Sequence, residues 1–118
     1  MDLLTLFYRS KDVENYPAGA TIFKAGDEGE FTYIVMEGEV ELRVKDQIVH
    51  VVTPGEIFGE MALLNPDPRV ATAVAKTDCT LAYLDQKRFM FMVQQVPFFA
   101  VHVMRVLASR LRNMDERL

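Results

Sequence analysis

The sequence predicts a mainly β protein, a β-sandwich or jelly-roll barrel, with a short N-terminal helix and two C-terminal helices. Three observations carry this. Apolar residues alternate from about Ala20 to Val52, most clearly at Tyr33, Val35, Val40, Leu42 and Val44. Turn signals divide the same region at Pro17-Ala18-Gly19, Ala25-Gly26-Asp27-Glu28-Gly29, Glu37-Gly38, Lys45-Asp46-Gln47 and Pro54-Gly55. Short strands at such close spacing favour sandwiches and barrels. After Asp85 the apolar residues fall instead at helical spacing.

The elements follow in order. Leu3, Leu4, Leu6 and Phe7 predict one or two helical turns packed on a core between Met1 and about Ser10. The alternating region then supplies the short strands, and a final strand is expected from about Ala71 to Leu84. Asp85 is placed to cap a helix bearing Phe89, Met92, Val93 and Val96. Pro97 ends that helix and opens the next, which runs from about Phe98 to Glu116. Along it Ala100, Met104, Leu107, Leu111, Met114 and Leu118 recur at spacings of 4, 3, 4, 3 and 4. This stripe is read first as core packing, because a coiled-coil seam takes three or four full heptads.

The 118 residues predict a single domain, residues 1–118, with one modest core. Asp and Glu number 17 against 13 Lys and Arg, for a net charge of −4. That balance lacks the basic footprint of nucleic-acid binders, so no nucleic-acid partner is expected. Cys79 is the single cysteine, which rules out an internal disulfide and is too few for an iron–sulfur cluster. The N-terminus has no long apolar core of a signal peptide, and no apolar run reaches the ~18 residues of a membrane span. The expectation is a cytoplasmic protein in a reducing compartment, without a membrane partner. His50 and His102 stand apart, so no clustered metal set is visible. No nucleophile–base pair is visible either, and the chain is expected not to be an enzyme.

The chemistry concentrates in Phe58 to Ala75, FGEMALLNPDPRVATAVA. Glu60 follows a glycine, and Arg69 stands nine positions on, after a proline. A carboxylate accepts from sugar hydroxyls, and an Arg fork pairs with phosphate oxygens. Free N–H groups at the start of a short helix would add donors to the same anion.

This run closely resembles the phosphate-binding cassette of cyclic-nucleotide-binding domains. The pattern is carried by Phe58, Gly59, Glu60, Met61, Ala62, Leu63 and Leu64, a tip Asn65-Pro66-Asp67, then Pro68, Arg69, Val70, Ala71 and Thr72. The earlier run YPAGATIFKAGDEGEFTYIVMEGEVEL also resembles that family, with Gly26, Gly29 and Gly38 at its tight turns. The resemblance implies a β-roll, or double-stranded β-helix, that binds a cyclic nucleotide and takes no cofactor. By it, Glu60 accepts from the ribose 2′-hydroxyl and Arg69 pairs with the cyclic phosphate, serving the ligand and not the core. The backbone around Gly59, Met61, Ala62, Val70 and Ala71 lines the pocket. Relatives that prefer cyclic GMP commonly carry Thr after the Arg. Val70 has no hydroxyl, so cyclic AMP is expected ahead of cyclic GMP.

The resemblance also implies that the last helix meets the base, near Arg112, Asn113 and Met114, and that it changes position on binding. It leaves a homodimer through that helix open beside core packing. The sequence leaves no room for a helix-turn-helix after this helix, so a stand-alone sensor or an excised domain with an unknown effector is expected. Three alternatives remain beside the main reading. They are a haem sensor of the same fold using His50, His102 or Cys79, a structural module with a vestigial pocket, and a small cupin-like enzyme.

Overall fold

Eight antiparallel strands form two four-stranded sheets in a computed structural model that describes residues 2–61 and 68–117, with side chains through residue 112. The strands are β1 (Val13–Tyr16), β2 (Thr21–Phe23), β3 (Thr32–Glu37), β4 (Val40–Val44), β5 (Gln47–Val52), β6 (Ile57–Phe58), β7 (Thr72–Ala75) and β8 (Cys79–Leu84). One sheet has the order β1-β8-β3-β6 and the other β2-β7-β4-β5. Three helices flank them: α1 (Leu3–Phe7), α2 (Gln86–Gln95) and α3 (Pro97–Arg117). The expected architecture, mainly β with a short N-terminal helix and two C-terminal helices, is the one observed.

Two cores explain which residues alternate and which do not. Between the sheets lie Tyr33, Val35, Val40, Val52, Phe58, Ala73, Ala75, Cys79 and Leu81. Beneath the helices lie Leu3, Phe7, Ile34, Ile57, Ala82, Leu84, Phe89, Met92, Phe99 and Val103. The β1-β8-β3-β6 sheet is therefore covered on both faces. That is why Thr32 to Val35 is a continuous buried run, with Ile34 facing the helices and Tyr33 and Val35 the other sheet.

The single strand expected from Ala71 to Leu84 is two. β7 joins one sheet and β8 the other, with Lys76-Thr77-Asp78 making the corner. The Thr77 hydroxyl accepts from the Glu39 N–H at 3.0 Å, and the Asp78 carboxylate from the Ala18 N–H at 2.9 Å. These polar side chains satisfy backbone donors where the ladder is interrupted. Gly38 turns against this corner at φ +86°, where an added Cβ would fall 2.2 Å from the Asp78 carbonyl oxygen. Only glycine fits there.

Asp85 caps α2 as expected, its carboxylate accepting from the Arg88 N–H at 2.8 Å. The chain then turns by 114° into α3 at Pro97. Phe99 docks between Phe7 and Phe89, with ring centroids 6.2 and 5.5 Å away. This contact sets the rotation of α3 and corrects the expected stripe. The buried face is Phe99 and Val103, with Val106 and Leu107 packed partly against the same core. Met104 and Leu111, expected inside, are 59% and 63% exposed. Side chains of Met114 and Leu118 lie outside the described set. Among the described residues, no single helix is long and apolar enough to cross a membrane.

Candidate functional site

A cavity of about 200 Å³ opens between the β2-β7-β4-β5 sheet, the turn after β6 and helix α3. Gly59, Glu60, Met61, Arg69, Val70 and Ala71 all line it, so the structure brings these sequence-predicted residues together. Ala62 and the tip Asn65-Pro66-Asp67 lie outside the described residues.

Arg69 is held from several sides. Its N–H donates to the Asp27 carbonyl at 2.8 Å, and its own carbonyl accepts from the Gly26 N–H at 2.7 Å. Thr72, in β7, accepts from the Ala25 N–H through its hydroxyl at 3.0 Å. The loop after β2 is thereby clamped to the second half of the cassette. Arg69 is only 7% exposed, and its guanidinium donates from Nη1 to the Gly59 carbonyl at 2.9 Å and from Nη2 to the Phe31 carbonyl at 2.5 Å. Its Cζ lies 4.1 Å from the centroid of the Phe23 ring. Arg69 therefore braces the pocket wall as well, which corrects the expectation that it serves a ligand alone.

Gly59 is required by this seat. Its φ is +77°, and an added Cβ would stand 2.7 Å from Arg69 Nη1. The Arg69 Nε is buried without a partner among the described residues. Burial pushes the Arg69 guanidinium below its ordinary value, while Tyr33, Glu60 and Asp27 pull the other way. An anion at this site would offset the cost of that desolvation by favouring the charged guanidinium.

Glu60 is fully buried, and its two oxygens differ. Oε1 accepts from Arg110 Nη1 at 2.5 Å, while Oε2 has no partner among the described residues. Arg110 reaches across from α3 and also donates from Nη2 to the Ile57 carbonyl at 2.8 Å. Bridging a carboxylate and a carbonyl, Arg110 ties the helix to β6 and the turn after it.

Arg110, Phe23, Leu42 and Pro68 also line the cavity; Pro68 was read as part of the cassette, and the sequence reading missed the other three as site residues. It looked instead to Arg112, Asn113 and Met114. Arg112 is exposed and lies off the cavity, and the side chains of Asn113 and Met114 are outside the described set. The signal for Arg110 was present. Phe99, Val103, Val106 and Arg110 repeat at 4, 3 and 4, one residue out of step with the stripe that was chosen. Val70 lines the cavity and is 78% exposed, which places it at the mouth. Cys79 sits in the core between the sheets, and His50 pairs with Glu56 at 3.3 Å; neither borders the cavity.

Known proteins share the fold and part of the sequence. The profile of the cyclic nucleotide-binding domain matches residues 13–96. A cAMP-dependent protein kinase regulatory subunit from Eremothecium gossypii is 42% identical over 88 residues, covering 75% of this chain and 19% of that protein. The cyclic AMP receptor protein of Thermus thermophilus is 36% identical over 108 residues, covering 87% of this chain and 50% of that one. The chain thus spans half or less of the length of these relatives. The crystal structure of the Thermus thermophilus catabolite activator protein superposes with a TM-score of 0.81 at 34% identity, over 89% of this chain and 52% of that chain. A cAMP-bound structure of PfPKA-R superposes at 0.76 and 30% identity, over 88% of this chain and 36% of that chain. With the glycine, carboxylate and arginine of the cassette gathered on one cavity of this fold, the chain belongs to the cyclic nucleotide-binding domain family.

Proposed function

We propose that residues 1–118 act as one regulatory cyclic-nucleotide-binding domain, that its ligand is cyclic AMP ahead of cyclic GMP, and that it is a binding module and not an enzyme. One observation carries this reading: Arg69 Nε and Glu60 Oε2 are complementary buried groups on one cavity, each without a partner among the described residues. A cyclic phosphate supplies the acceptor that Arg69 lacks, and a ribose hydroxyl supplies the donor that Glu60 lacks. The remaining lining of Phe23, Leu42, Met61 and Val70 is apolar and suits a purine face. Gly59, Met61, Val70 and Ala71 line the same cavity and would frame the phosphate through their backbone.

Output follows from Arg110. Glu60 would bridge the ribose through Oε2 and α3 through Oε1, so a bound nucleotide strengthens the hold of α3 on the turn after β6. A ligand that favours the docked helix shifts the population of α3 toward it. The exposed apolar residues Met104 and Leu111 on α3 would move with it and offer a surface to a second copy or to an effector.

Calorimetric titration with cyclic AMP and cyclic GMP tests the reading. Saturable binding of cyclic AMP, tighter than cyclic GMP, is expected. No heat from either nucleotide at millimolar concentration would refute it.

A further inference from the structure

We propose that Phe23 is a positioning residue of the anion site: its ring face carries the Arg69 guanidinium and leaves the guanidinium edge turned to the phosphate. The inference rests on the cyclic-nucleotide reading above.

The local structure of β2 points to it. Thr21 pairs with Val74, yet Phe23 pairs with Ala73, so two steps on β2 answer one on β7. A regular antiparallel ladder would set Phe23 opposite Thr72. It would then share the face of Val74 and Thr72, away from the core between the sheets. The bulge instead turns Phe23 to the face of Ala73, which lies in that core. There its ring meets Tyr33 at 6.1 Å and Phe58 at 6.0 Å, and those two rings stack on each other at 5.3 Å. The aromatic column fixes the ring, and the ring fixes the plane of Arg69 at 4.1 Å.

A guanidinium is weakly hydrated on its faces and bonds through its edge. A ring against one face therefore costs no hydrogen bond. The Gly59 and Phe31 carbonyls take two of the five N–H donors, and Nε has no partner among the described residues. Phe23, the two carbonyls and Gly59 together hold Arg69 ready before any anion arrives. Preorganisation of this kind raises affinity by cutting the ordering cost of binding.

Phe23→Leu and Phe23→Tyr separate positioning from packing. Cyclic AMP affinity is measured by calorimetry, and the Arg69 Nε–Hε signal is followed by NMR in the ligand-free protein, assigned by its loss in Arg69→Lys. In the wild type, the ring current should shift that signal upfield. Phe23→Leu should remove the shift and weaken cyclic AMP binding by about fivefold to thirtyfold, the scale of a desolvated cation–π contact. Phe23→Tyr keeps the ring face and should retain both within about twofold. If Phe23→Leu does not fold, Phe23→Met carries the same comparison. Wild-type affinity in Phe23→Leu, or weakened binding with the Arg69 signal unmoved, would assign Phe23 to packing and overturn the inference. A wild type that binds no cyclic AMP would overturn the functional reading and with it the phosphate role, while the Arg69 signal still decides whether the ring holds the guanidinium.

Discussion

The two walls of the cavity are built differently. On the β side, Arg69 is bound through its backbone to Gly26 and Asp27, through its side chain to the Gly59 and Phe31 carbonyls, and against the Phe23 ring. On the helical side, among the described residues, one long side chain, Arg110, crosses to Glu60 and Ile57. The first wall is fixed by the sheet framework, so it can grip a ligand in one geometry. The second is attached to a helix docked through residues such as Phe99 and Val103. On the proposed reading the first wall grips the ligand and the second reports on it, and the two would meet at Glu60, which lines the cavity and pairs with Arg110.

The largest effects should come from breaking the β wall. Arg69→Ala removes one partner of a partly dry charge pair, which costs about 2–5 kcal/mol of binding. Cyclic AMP affinity should fall roughly thirtyfold to several thousandfold in a titration, with Arg69→Lys between. The structure adds a second expectation. The Gly59 and Phe31 carbonyls each lose a donor, at about 1 kcal/mol net per bond, so the melting temperature should fall by several degrees even without ligand. Far-ultraviolet circular dichroism should stay as in the wild type. Undiminished cyclic AMP affinity in Arg69→Ala would show that this wall is not the phosphate site.

Gly59→Ala attacks the same wall without touching a charge. A non-glycine residue at φ +77° costs about 1–2 kcal/mol, and its Cβ would collide with Arg69 Nη1. Both stability and cyclic AMP affinity should drop, affinity by about tenfold or more. A protein that melts and binds as the wild type would show that Arg69 has room to reseat.

The same division decides what was legible in the sequence. Only the cassette part of the β wall is local. Gly59, Glu60, Arg69 and Val70 fall within one run, which was legible through its resemblance to the phosphate-binding cassette, whereas the partners Gly26, Asp27, Phe31 and Phe23 lie far off in sequence. The strands were legible where one face is polar, as at Val40 and Leu42, and the corner at Lys76-Thr77-Asp78 was not, because its turn rests on partners at Ala18 and Glu39, far off in sequence. Arg110 was hidden for a different reason. Two stripes one residue apart run along α3, and periodicity alone does not choose between them. Phe99 packing on Phe7 and Phe89 does, and that is a tertiary fact. The Phe23 bulge is of the same kind, since register is set by the partner strand.

Breaking the helical wall should have a smaller effect on affinity and a clearer one on α3. Arg110→Ala leaves the buried Glu60 carboxylate without its cation, a loss of about 3–5 kcal/mol of stability. Cyclic AMP should bind about tenfold more weakly. Hydrogen exchange sharpens the comparison. In the wild type, cyclic AMP should slow amide exchange in α3, and in Arg110→Ala that protection should vanish while the strands around Arg69 remain protected. Equal protection of α3 in both proteins would remove Arg110 from the readout.

The smallest effect belongs to Val70, at the cavity mouth between the walls. Its side chain is mostly exposed, so substitution there should leave the fold and Arg69 undisturbed. Val70→Thr keeps the branched shape and adds a hydroxyl that can meet the exocyclic amino group of guanine. One such hydrogen bond nets about 0.5–1.5 kcal/mol. The preference for cyclic AMP over cyclic GMP should therefore narrow by a few-fold to about tenfold, with cyclic AMP affinity itself little changed. Competition of the two nucleotides on wild type and variant reads this directly. A wild type that already prefers cyclic GMP would mean that base selection is made elsewhere, and Arg110, the one charged group on the helical wall of the cavity among the described residues, would be the next position to vary.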